Sequence, residues 1–119
     1  MAADLAVLVV DDDPLVRAST VSMFEELGFV VFDAYNGRDA LRLLSHRPEI
    51  GLLFADVRMP SMAGPELAEA ARRLRPDLKV VFTSGYVDAI ALPPDMIFVP
   101  KPVTKDALAR AVLDQRSAR

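Results

Sequence analysis

The stretch Leu5-Ala6-Val7-Leu8-Val9-Val10-Asp11-Asp12-Asp13-Pro14 decides the fold. Its apolar residues run without alternation, which suits a short strand covered on both faces, as in a parallel sheet. Acids follow, and Asp12-Asp13 before Pro14 reads as a helix cap with proline in the first turn. The stretch is therefore the end of a buried strand and the start of a helix, with carboxylates at the junction.

Working outward, four more apolar runs have the same character: Phe29–Phe32, Gly51–Ala55, Leu78–Phe82 and Met96–Val99. Helical spacing fills most of the intervals. Pro14–Leu27 carries Val16, Met23, Phe24 and Leu27 and is closed by Gly28. Gly37–His46 carries Ala40, Leu41, Leu43 and Leu44 behind an Asn36 cap. Pro65–Leu74 carries Leu67, Ala68, Ala71 and Leu74, and Thr104–Gln115 carries Leu108, Ala111 and Val112. Strand and helix alternate, which predicts an α/β fold. Right-handed crossovers with helices on both faces predict a doubly wound, five-stranded parallel sheet of the flavodoxin-like order 2-1-3-4-5. The interval between Phe82 and Met96 is the exception. Tyr86–Leu92 holds two turns at most before Pro93-Pro94 stops it, so the fourth helix is expected to be a short distorted turn or a mobile loop.

The length predicts one domain spanning 1–119, with no output domain expected. Apolar residues at 52% and a mean hydropathy of +0.25 argue against intrinsic disorder. With 0 Cys and 1 His, disulfide scaffolds, thiolate sites and histidine metal clusters are excluded. A net charge of −3 argues against a general grip on nucleic acid. No apolar run reaches membrane-spanning length, and the start Met1-Ala2-Ala3-Asp4 lacks a basic leader, so a cytoplasmic protein is expected.

In an open parallel sheet the chemistry gathers outside the carboxyl ends of the strands. Strand 1 ends in Asp11-Asp12-Asp13, strand 3 in Asp56, strand 4 in Thr83-Ser84, and strand 5 runs into Lys101-Pro102. Strands 1 and 3 are neighbours in the expected order, so their carboxylates converge. Clustered carboxylates repel unless a cation sits among them, and oxygen-only donors favour Mg²⁺. A hydroxyl at Thr83 and an ammonium at Lys101 complete a site suited to a phosphoryl group. Asp13 reads as the helix cap and not as part of that site.

The chain resembles the receiver domain of bacterial two-component response regulators. The pieces that carry the likeness are Val9-Val10-Asp11-Asp12-Asp13-Pro14, Asn36-Gly37-Arg38-Asp39-Ala40-Leu41, Asp56-Val57-Arg58-Met59-Pro60, Met62-Ala63-Gly64, Val81-Phe82-Thr83-Ser84-Gly85 and Lys101-Pro102. The resemblance implies a phosphoacceptor switch, not an enzyme in its own right. Asp56 would take a phosphoryl group from a phosphohistidine on a sensor histidine kinase or histidine phosphotransfer protein. It implies that Asp11, Asp12, Asp56 and the backbone carbonyl of Arg58 hold Mg²⁺. It also implies that Lys101 pairs with a phosphoryl oxygen, that Thr83 donates its hydroxyl to the attached group, and that Phe98 is an aromatic responding to Thr83. A downstream protein target is implied without being identified, as is a cis bond at Lys101-Pro102. The interval from Thr83 to Lys101 is shorter than in chemotaxis-type receivers and resembles receivers with a truncated fourth helix. The alternative is a Mg²⁺-dependent phosphatase or phosphotransferase with an aspartate nucleophile. The haloacid-dehalogenase version of that chemistry wants Asp-x-Asp and a hydroxyl residue after strand 1, and a cap domain. A flavodoxin would need a hydroxyl- and glycine-rich phosphate loop where this chain has acids.

Overall fold

The computed structural model describes residues 6–60, 62–85 and 97–117, the last five by their backbone. In chain order the elements are β1 (Ala6–Val10), α1 (Pro14–Glu26), β2 (Val30–Ala34), α2 (Gly37–His46), β3 (Ile50–Asp56), α3 (Gly64–Leu74), β4 (Lys79–Ser84), β5 (Ile97–Pro100) and α4 (Lys105–Ser117). All strand pairs are parallel, and the sheet order is β2-β1-β3-β4-β5. This is the expected doubly wound, flavodoxin-like sheet. The short fourth helix expected over Tyr86–Leu92 lies outside the described residues.

The unalternating apolar runs have a direct cause in the packing. Along β1, Ala6, Leu8 and Val10 enter one core cluster, with Leu53, Ala55 and Phe82 and with Ala40, Leu44, Leu67 and Ala71 of α2 and α3. Val7 and Val9 point the other way, into a second cluster with Leu52, Phe54 and Val81, Phe24 of α1, and Leu108 and Ala111 of α4. Side chains alternate between faces along a strand, and here both faces are covered, so every position must be apolar. Complete burial of one such aliphatic side chain stabilises by about 1.5–3 kcal/mol. In the second cluster the Phe24 ring meets Phe54 edge-on, with centroids 5.5 Å apart.

Helix starts follow their caps. The Asp13 carboxylate accepts from the backbone N–H of Leu15 at 2.9 Å and of Val16 at 3.2 Å. Asn36 accepts from Asp39 N–H at 2.9 Å. Thr104 is the cap of α4 and not its first residue, since its hydroxyl accepts from Ala107 N–H at 3.1 Å. Each such cap contributes about 1 kcal/mol. Gly28, at φ 97°, supplies the left-handed turn after α1.

Several strand boundaries differ from the apolar runs by one or two residues. The second strand begins at Val30 because Phe29 belongs to the turn: its N–H bonds the Phe24 carbonyl at 3.1 Å and its ring packs edge-on against Phe24. The fourth strand ends in Thr83 and Ser84, as expected, and these pair with Val99 and Pro100. Pro100 lies on β5, an edge strand, and a missing donor is tolerated there. The Lys101-Pro102 bond is cis, as expected.

Candidate functional site

The sheet register builds the site. β1 and β3 pair Val10 with Ala55, so the next residues along, Asp11 and Asp56, stand side by side. β3 and β4 pair Asp56 with Thr83 directly. The ladder extends one step further through Val57 N–H, which donates to the Thr83 carbonyl at 2.8 Å. Lys101 N–H donates to the Ser84 carbonyl at 3.0 Å, which carries Lys101 to the same end of the sheet.

The side chains converge there. Asp11, Asp12 and Asp56 each offer a carboxylate oxygen, all within 4.8 Å of one another. The Lys101 ammonium lies 2.6 Å from Asp56 Oδ2 and 3.7 Å from Asp11 Oδ2. Asp11 is 4% exposed and Asp56 6%, so water screens this group of charges poorly. Asp11 Oδ1 accepts from Asp13 N–H at 2.9 Å, and Asp56 Oδ1 from Arg58 N–H at 3.0 Å. The hydroxyl oxygen of Thr83 is buried and has no hydrogen-bond partner among the described residues. An orphaned buried hydroxyl is rare enough to need a reason, and a group arriving beside Asp56 supplies one.

Electrostatics express the crowding. Burial raises the Asp11 carboxyl above its ordinary value. The Asp13 N–H and the Lys101 charge oppose that rise, while the charges of Asp56 and Asp12 add to it. For Lys101, burial works to lower the ammonium. The hydrogen bond to Asp56 and the charges of Asp56 and Asp11 outweigh burial, and the net direction is upward. One ammonium among three carboxylates leaves the cluster negative, and a divalent cation with oxygen ligands fits it.

Of the expected site residues, Asp11, Asp12, Asp56, Thr83 and Lys101 come together. Arg58 is two residues past Asp56 in the adjoining loop, joined to its carboxylate through its N–H. Phe98 pairs with Phe82 and packs, half-buried, against the α2 and α3 side of the core. Two further residues shape the site and have no role assigned from sequence. A Cβ on Gly64 would lie 2.5 Å from the Asp56 carbonyl oxygen and 2.9 Å from Val57 Cα, so the start of α3 approaches β3 only because this residue is glycine. Gly64 N–H also bonds the Val57 carbonyl at 2.8 Å. Arg17 reaches from α1 to the Asp11 carbonyl at 2.8 Å. The sequence signals were a glycine before Pro65 and a cation one helical turn after the Asp13 cap.

Similarity to known proteins agrees with this arrangement. The family model for the response regulator receiver domain matches residues 7–113. Sensor kinase CckA of Brucella abortus is 36% identical over 118 residues, covering 94% of this chain and 12% of that protein. The response regulator receiver protein CpdR of the same organism is 39% identical over 89 residues, covering 75% of this chain and 72% of that one. Among solved structures, the receiver domain from the hybrid histidine kinase CckA superposes with a TM-score of 0.81 at 32% identity, covering 92% of this chain and 97% of that one. The chain thus spans a small part of the kinase and about three quarters of the receiver protein. It belongs to the response regulator receiver domain family of two-component signalling.

Proposed function

We propose that this chain is a phosphoacceptor switch with Asp56 as the acceptor, supplied by a sensor histidine kinase or histidine phosphotransfer protein. In the transfer, an Asp56 carboxylate oxygen attacks the phosphorus of a phosphohistidine. The O–P bond forms as the P–N bond breaks, and the imidazole leaves. Asp11, Asp12, the other Asp56 oxygen and the Arg58 carbonyl would hold Mg²⁺, which supplies positive charge against the phosphoryl oxygens. Lys101, now on Asp56 Oδ2, re-pairs with a phosphoryl oxygen. Thr83 then gains a partner for its hydroxyl.

The observation that best supports the reading is the strand register that pairs Asp56 with Thr83, whose buried hydroxyl has no partner among the described residues, together with the Lys101 ammonium on Asp56 Oδ2. A phosphoryl group on Asp56 brings acceptor oxygens to both donors at once. Kinase partners agree with the relatives, which include a sensor kinase and a response regulator receiver protein. The test is incubation with acetyl phosphate and Mg²⁺. A switch takes up one phosphoryl group per chain and releases phosphate slowly. Rapid release of many equivalents of phosphate per chain would instead establish a phosphatase.

A further inference from the structure

Asp12 differs from the other two carboxylates. Asp11 and Asp56 are each fixed by a backbone N–H and by Lys101, whereas the Asp12 carboxylate has no hydrogen bond or ion pair among the described residues. Its direction is set by the peptide unit that precedes it. The carbonyl of that unit, on Asp11, accepts from Arg17 Nη1 at 2.8 Å. The guanidinium is itself fixed in place. Its Nε donates to Asp33 Oδ2 at 3.0 Å, and its carbon lies 5.8 Å from the centre of the Tyr35 ring. Arg17 N–H also bonds the Asp13 carbonyl at 2.9 Å, so the clamp is anchored one turn into α1.

We propose that Arg17 is a positioning residue for the acidic pocket: by clamping the Asp11 carbonyl against α1 and the end of β2, it sets the direction in which Asp12 presents its carboxylate to the metal. The proposal rests on the reading of Asp12 as a metal ligand. The Arg17–Asp33 pair is half-exposed at Asp33 and contributes little to stability as an ion pair. Its consequence is geometric. A guanidinium makes both bonds from one rigid plane, and a lysine ammonium cannot reproduce that fork. Residues that orient metal ligands from behind change metal affinity by roughly 10–100-fold when removed.

The experiment is a Mg²⁺ titration followed by amide NMR on the parent, Arg17→Lys, Asp33→Asn, Asp12→Ala and the Asp12→Ala/Arg17→Lys double variant. Arg17→Lys keeps the charge and is expected to weaken Mg²⁺ binding about tenfold. It is also expected to shift the Asp12 and Asp13 amide signals before any metal is added, and to recover its phosphorylation rate at saturating Mg²⁺. Asp33→Asn, at a half-exposed position, is expected to act in the same direction and more weakly. In the Asp12→Ala background Arg17→Lys is expected to cost nothing further, a non-additivity that general loosening of the fold does not produce. Unchanged affinity in Arg17→Lys or Asp33→Asn, or additive losses in the double variant, overturns the role of Arg17 while leaving the metal site standing. Mg²⁺ binding that is indifferent to Asp12→Ala overturns the metal-site reading and the proposal with it.

Discussion

The two ends of the sheet use charge in opposite ways. At the amino end, the Arg75 guanidinium donates to the carbonyls of Pro48, at 3.0 Å, and of Ile50. Arg72 donates to the Leu78 carbonyl at 3.1 Å, and Arg47 lies over the Phe32 ring at 5.3 Å. These cations meet neutral dipoles and a ring face, and they tie loops to strands. At the carboxyl end, three carboxylates gather, two of them share one ammonium, and a buried hydroxyl has no partner among the described residues. One end is closed chemically, while the fold holds the other in an arrangement that a bound cation and a phosphoryl group would relax.

Substitutions at the two ends should have effects of different kinds. The largest effect is expected at Lys101 and Thr83. Lys101→Ala and Thr83→Ala should still permit some phosphorylation but lose the conformational response, because on the proposed reading both groups engage the phosphoryl oxygens once the group is attached, Lys101 by leaving Asp56 Oδ2. The check is the amide NMR shift on adding beryllofluoride, and a variant that shifts as the parent does is not part of the response.

Next comes Gly64, at the chemical end but with a packing role. Gly64→Ala drives a methyl into the backbone of Asp56 and Val57 and should cost about 1–3 kcal/mol in urea denaturation. A neutral result would mean that the start of α3 is free to shift. Arg75→Ala comes third. It leaves the carbonyls at the amino end without their donor and should cost about 1–2 kcal/mol, with acetyl phosphate labelling of Asp56 unchanged. Lost labelling would show that the two ends are coupled.

Asp11→Asn gives the smallest effect, and it is pH-dependent. Burial, with the Asp56 and Asp12 charges adding, raises the folded Asp11 carboxyl, so the folded protein holds that proton more tightly than the unfolded chain does. Stability of the metal-free protein therefore falls as pH rises from the unfolded value through the raised folded one. Asp11→Asn removes the penalty: thermal melts should show a gain at neutral pH that disappears in acid. Lys101 has the opposite consequence, since its raised folded value keeps its stabilising contribution from acid through neutral pH and loses it only in alkali.

Much of this was legible in the residues. Leu5–Val10 predicted a doubly covered strand because both of its faces meet helices, and the Asp13 and Asn36 caps fell where their side chains bond. Strand ends were less legible. Phe29 reads as the start of the second strand, but its N–H and its ring both go back to Phe24, a contact that local pattern cannot reveal. Asp11, Asp12, Asp56, Thr83 and Lys101 could be placed together because parallel topology forces consecutive strand ends to one side. Gly64 and Arg17 escaped for a different reason: a close backbone approach and a side chain bonding a carbonyl have no periodic signature.

On the proposed reading, Asp56 carries the phosphoryl group. Intact-mass measurement of the parent and Asp56→Asn after acetyl phosphate and Mg²⁺ tests it most directly, since the amide is a poor nucleophile in an otherwise similar pocket. The parent should gain the mass of one phosphoryl group and Asp56→Asn none. An equal adduct on Asp56→Asn, or none on the parent, would contradict the account.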